Sequence, residues 1–183
     1  MTARRPSDAL PGLLLAKLRE QVERTEHLLE LIPPDQIDWR PELPAGAPLR
    51  LSEVVGHLLE CLAGFCAAFY AVHPERLSHF LRLRERQVNH RCGVDEARQR
   101  IEEYMRHIEQ GFALTTDADL ARPIPTAFVP QGEALLTVLL GNLEHLINHK
   151  HQLFFYLKML GVPVGTRDLY HWRGSEPKSG PAR

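Results

Sequence analysis

Between Glu133 and Leu160 the chain contains no proline and returns an apolar side chain every three or four residues. Leu135, Leu139, Leu143, Ile147, Leu153, Phe154, Leu157 and Leu160 mark that rhythm, and Leu136 and Leu140 widen it. The period belongs to a helix. Gly161 supplies a C-terminal stop, and Pro163 stands just beyond it. About 28 residues make a rod about 42 Å long. Its apolar groups lie on more than one side, which a helix wet along one face does not need. Such a rod must sit in a bundle, with one side facing inward and another free for a second subunit. A homodimer is therefore expected.

Three further helices follow from the same reasoning. Leu14, Leu18, Val22, Leu28, Leu29 and Ile32 predict one from about Asp8 to Ile32, stopped by Pro33-Pro34. The proline-rich stretch Pro33 to Pro48 reads as a loop, pinned to the body by Trp39. Ser52 is the expected cap of a second helix running to Val72, with Leu58, Leu62, Phe65 and Phe69 as its stripe. Ile101, Met105, Ile108 and Phe112 mark a third, from about Asp95 to Leu114. The segment Pro74 to Gly93 admits a short helix over Glu75 to Arg86 or a loop. The expected fold is all-α, a four-helix bundle with a short extra helix or loop between helices two and three. Residues 1–6 are expected to be disordered, 7–165 to form the bundle and 166–183 an irregular tail.

Charge and composition remove other classes. Twenty-two Lys and Arg against 23 Asp and Glu leave a net charge of −1, which is unlike a nucleic-acid binder. The basic run Arg82 to Arg91 lacks interleaved aromatics and reads as a solvated face. The longest uncharged apolar run, Cys61 to Val72, is too short to cross a bilayer, and no secretory signal is visible. Three cysteines without a CxxC pair read as reduced thiols in a cytoplasmic protein.

Ten histidines are the unusual number. His145 and His149 stand four apart on the long helix, so both imidazoles can aim at one point. His151 projects about 200° away from His149 and is excluded. A third ligand must come from another helix. His57 is the best placed, flanked by Val54, Val55, Leu58 and Leu59. A buried imidazole there must find a partner. That partner is either a metal or a local group such as Glu60 or Cys61, and Cys61 also reads as a fourth ligand, a reactive thiol or a plain core residue. Three neutral imidazoles suit Zn, Ni, Fe or Cu and leave a position open for chemistry. His27, His73, His79, His90 and His171 are expected at the surface, with His107 near the site at most. Trp39 and Trp172 read as packing anchors.

Two segments carry a family resemblance. HLINHKHQLFFYLKMLGVPV, from His145 to Val164, resembles the last helix of the DinB/YfiT-like superfamily: two His four apart, Gln152, an apolar run, and Gly161-Val162-Pro163. The stretch Leu28 to Glu60, with Trp39-Arg40-Pro41, Leu51-Ser52 and His57-Leu58, is similar to that family's path into its second helix. The resemblance covers about two thirds of the chain. Where many members carry His-Arg-Gly-Gln, this chain has His149-Lys150-His151-Gln152.

The resemblance implies a bundle with a non-parallel connection, often dimeric, and a divalent metal on His57, His145 and His149. It also implies a metal-dependent transferase that joins a low-molecular-weight thiol to a small electrophile, with no protein nucleophile. Gln152 and Asn142, each three residues from a ligand, are candidates for orienting water or substrate, and Cys61 is a weaker one. Two alternatives stand beside this reading. One is a metal-dependent hydrolase with Glu60 as base. The other is a non-catalytic stress-response dimer whose metal is structural or vestigial.

Overall fold

The computed structural model describes residues 10–42, 46, 48–126 and 129–175. Residues 1–6 and 176–183, read from sequence as loose ends, lie outside them. Four long helices form: α1 (Leu10–Glu30), α2 (Leu51–Val72), α4 (Val94–Leu114) and α5 (Leu135–Met159). Each lies within a few residues of the span read from the sequence. A single turn, α3 (Phe80–Leu83), is all that forms of the short helix between the second and third long ones. Another, α6 (Thr166–Leu169), follows α5. Two residues on each side, Pro123–Ile124 and Glu133–Ala134, pair antiparallel across the last crossover.

The packing order is informative. α2 packs against α4 and α5, and α1 packs against the same two helices. Neighbours in sequence, α1 with α2 and α4 with α5, therefore face each other across the bundle diagonal. That arrangement needs connections long enough to cross the end of the bundle, and residues 31–50 and 115–134 supply them. The first is tied down at both ends. Ser52 N–H donates to Ile37 O and Leu51 N–H to Trp39 O, each at 2.8 Å. The Trp39 ring meets Tyr156 of α5 edge-on at 5.6 Å, so the expected plug is present.

α2 is the core helix. It buries 14 of its 22 residues, including the whole predicted stripe of Leu58, Leu62, Phe65 and Phe69. By length and composition it could cross a membrane. Its apolar surface is instead consumed by α4 and α5. Truncating Leu58 or Leu62 to Ala would cost about 2–5 kcal/mol, the usual range for a buried leucine.

Three expectations need correction. Ser52 does not cap α2: the helix starts two residues earlier, at Leu51, and the Arg50 N–H donates to Glu53 Oε2 at 2.7 Å. Ser52 Oγ donates to Asp38 Oδ1 at 3.0 Å and closes the loop instead. The described part of the tail is not irregular. Asp168 accepts from the Gly165 N–H at 2.8 Å, which starts α6, and α6 docks on α1 beside His27. Nor are the remaining histidines surface groups: His27, His73, His79, His90 and His171 are all half-buried. Each has found a neighbour. His27 stacks with His171 and faces Asp168, His73 faces Thr115, His79 faces His107, and His90 faces Glu96.

Candidate metal centre

His57 comes from α2, and His145 and His149 come from successive turns of α5. The tight α2–α5 packing brings them together. Gly64, two turns along from His57, is part of the reason. A Cβ there would lie 2.4 Å from the Asn142 side-chain oxygen, so glycine leaves room for the Asn142 amide between the two helices. One donor atom from each histidine lies within 4.8 Å of the other two. His57 Nε2 and His145 Nε2 are 3.2 Å apart.

The outer nitrogens decide what the inner ones can do. His149 Nδ1 donates to Gln152 Oε1 at 2.8 Å. Gln152 Nε2 donates to the Tyr156 hydroxyl at 3.3 Å, which donates in turn to Leu49 O at 3.1 Å. Donor and acceptor roles are consistent along the whole chain. It keeps the proton on Nδ1 and leaves the Nε2 lone pair of His149 bare. His57 Nδ1 faces two acceptors, the Asn89 side-chain oxygen and Glu60 Oε2, the latter at 3.1 Å. That nitrogen must carry a proton, so His57 Nε2 is also bare. A bare His57 Nε2 set 3.2 Å from His145 Nε2 can accept that ring's proton or, with the proton on the outer nitrogen of His145, share a cation with it. Imidazoles held through their outer N–H are the usual form of histidine ligands.

Electrostatics agree. Burial, then the neighbouring His57, lowers the pKa of His145. His149 is lowered by burial and by both other rings, against the opposing effects of Gln152 and Glu60. Neutral imidazoles are the ligand form. The donor set therefore fits a divalent ion.

The site opens on a cavity of about 620 Å³. Gly64, Ala67, Ala68 and Ala71 of α2 form one wall, and Thr137, Val138, Gly141 and Asn142 of α5 form another. Ile124, Pro125 and Thr126 of the crossover close a third side, and His145 stands at the boundary with the histidine cluster. The volume is that of a small-molecule site.

The sequence-predicted residues divide clearly. His57, His145 and His149 converge. Asn142 lines the cavity beside His145. Gln152 touches His149 from outside, away from the cavity. Cys61 is fully buried, its Sγ directed to its own helix at the His57 carbonyl oxygen, 3.6 Å away. Burial, helped by the charge of Glu60, pushes its thiol up to about 12. Cys61 is thus a core residue and is not on the open side. His151 bonds Ile147 O at 2.8 Å and lies apart, as its position on the helix requires. His107 is buried elsewhere, against His79. Lys150 turns into the α1 side and donates to Gln21 Oε1 at 2.8 Å.

The sequence of the chain agrees with a known family pattern. That of the DinB superfamily matches residues 17–153. The chain belongs to the DinB superfamily. A search of the curated proteins finds no match. Within this DinB chain, two contributors escaped the sequence reading. Tyr156 was seen only as part of an apolar run, and Asn89 fell within a segment read as solvated. Asn89 has a φ of 57°, a left-handed conformation that asparagine tolerates better than most residues. Its N–H donates to Gly56 O at 3.3 Å. Gly56 is what admits this turn, since a Cβ there would lie 1.9 Å from His90 O.

Proposed function

We propose that this DinB protein is a metal-dependent transferase that joins a low-molecular-weight thiol to a small apolar electrophile. One observation carries the proposal: three imidazole nitrogens converge beside a cavity lined mainly by alanine, glycine and aliphatic side chains, with Thr126, Thr137, Asn142 and Glu133 as its polar groups. His57, His145 and His149 would hold the ion, of Zn, Ni or Fe type. A divalent ion there supplies the positive charge that favours a thiolate over a thiol near neutral pH.

The chain's own residues do the rest. Gln152, Asn89 and Glu60 keep the outer imidazole protons in place, so the ligand nitrogens do not turn away. The small side chains of α2 leave room for a flat apolar substrate and exclude water from it. Asn142 offers an amide beside His145 to orient the substrate. In the reaction the thiol sulfur bonds to the electrophilic carbon and the bond to the leaving group breaks. The thiol proton departs with the leaving group. No side-chain nucleophile is needed. Glu60 sits on the outer nitrogen of His57, which suits orientation and does not favour hydrolysis with Glu60 as base.

The test is product formation from a panel of thiols and alkylating electrophiles, with the metal-loaded protein. Activity should require added thiol and fall at least a hundredfold in Ala71→Phe, which narrows the cavity without touching a ligand. Turnover in the absence of any thiol would overturn the transferase reading. The proposed protein is also a cytoplasmic homodimer. Leu140, Phe155 and Met159 support self-association, being 45%, 58% and 55% exposed on α5. Sedimentation of wild type and Phe155→Glu measures it, and a monomeric wild type would remove it.

A further inference from the structure

A second group of donors lies beside the Asn89 turn. His90, Cys92 and Glu96 each offer one ligand atom within 4.8 Å of the other two. We propose that they form a second metal site, distinct from the histidine cluster, for a thiophilic divalent cation such as zinc. One thiolate, one imidazole and one carboxylate make a donor set that zinc accepts, with a fourth position left for water. Hard cations such as calcium and magnesium prefer oxygen alone.

Three observations support the assignment. The donors come from two elements already fixed to each other. His90 and Cys92 sit on a turn strapped to α2, with Asn89 N–H to Gly56 O at 3.3 Å and Cys92 N–H to Ser52 O at 3.0 Å. Glu96 stands on the first turn of α4. The second observation is incomplete bonding. His90 Nε2 is 2.9 Å from Glu96 Oε1, but His90 Nδ1 is buried with no partner among the described residues. Cys92 is fully buried, and its Sγ reaches the carbonyl oxygen of Gly93, at 3.4 Å, and the Glu96 carboxylate. The third is charge. Glu96 brings a carboxylate to the cluster, hydrogen-bonded to both His90 and Cys92. The Arg100 guanidinium lies 3.7 Å from Glu96 but is committed to Gln87 O and the Tyr104 hydroxyl.

Without an ion the Cys92 thiol stays neutral, pushed up to about 12 by burial and by the Glu96 charge. Binding therefore forms one sulfur–metal bond and releases the thiol proton to water. An ion held here would pin the turn that carries Asn89, the outer partner of His57. The two sites would then be linked through one short loop.

Cobalt(II) titration of the full-length protein reads the two sites separately. A cysteine ligand gives a thiolate-to-cobalt charge-transfer absorption that histidines alone do not. His149→Ala should keep this absorption, and Cys92→Ser should abolish it. Glu96→Gln, a change at an exposed residue that leaves the fold intact by circular dichroism, should weaken the cobalt affinity behind that signal at least tenfold. No thiolate absorption in His149→Ala, or its persistence in Cys92→Ser, overturns the proposal. If Cys92→Ser fails to fold, Glu96→Gln decides: unchanged affinity overturns it.

Discussion

Among the described residues three sets of histidines touch ring to ring, and two of them, the triad and the His79–His107 pair, are built differently. His57, His145 and His149 are half-buried beside a cavity, and two of the three have an outer nitrogen engaged by an acceptor. His79 and His107 also meet closely, Nε2 to Nδ1 at 2.6 Å against 3.2 Å between His57 and His145, but neither of their rings has a carboxylate or side-chain amide on its outer nitrogen among the described residues. His107 Nε2 is buried with no partner among the described residues. The first set is held so that lone pairs face inward. The second shares a proton between two rings. Closeness of histidines does not by itself make a metal site, and the outer hydrogen bonds make the distinction.

The largest effect should separate the two sets outright. His145→Ala should weaken zinc affinity more than a hundredfold in competition with a chromophoric chelator, while His79→Ala leaves it unchanged. Equal losses in both would erase the distinction.

Acid should expose the buried pair. Burial and then the nearby His79 hold His107 down to about 4, against 6.5 for the free group. The unfolded chain therefore binds more protons between these values, and stability falls as pH drops through that window. The contribution is about 3 kcal/mol, fully present above pH 6.5 and lost towards pH 4. Urea unfolding at both ends of the window should show this loss in wild type and a smaller one in His107→Leu. An unchanged slope would show that the pair is not the sensor.

A smaller effect tests the outer partners. Gln152→Leu removes the acceptor for His149 Nδ1 without removing a ligand and should cost about ten- to a hundredfold in zinc affinity. Smallest of all, Tyr156→Phe removes the hydroxyl between Gln152 and Leu49. It should cost about 1 kcal/mol of stability by urea unfolding, with a barely altered zinc affinity.

Much of this was legible in the sequence because it depends on periodicity. The four long helices follow from apolar spacing, and the i, i+4 spacing places His145 and His149 on one face. His57 was readable as an imidazole stranded in an apolar segment. What stayed hidden depends on chain crossings. The diagonal placement of successive helices is set by two long loops whose paths no periodicity encodes. Asn89 reaches His57 only because a left-handed turn docks on Gly56. The half-buried histidines looked solvated because their partners, such as Thr115 for His73 and Asp168 for His27, are far away in sequence. The capping error at Ser52 has a local cause: the Glu53 carboxylate serves the start of α2 from one residue further on.

The central claim is that the three histidines hold a metal. Metal content per chain, by mass spectrometry on untagged wild type and His149→Ala purified side by side, tests it most directly. The account predicts that the variant carries about one ion fewer per chain. Equal metal in both proteins, or none in wild type after reconstitution with zinc, nickel or iron, would contradict it.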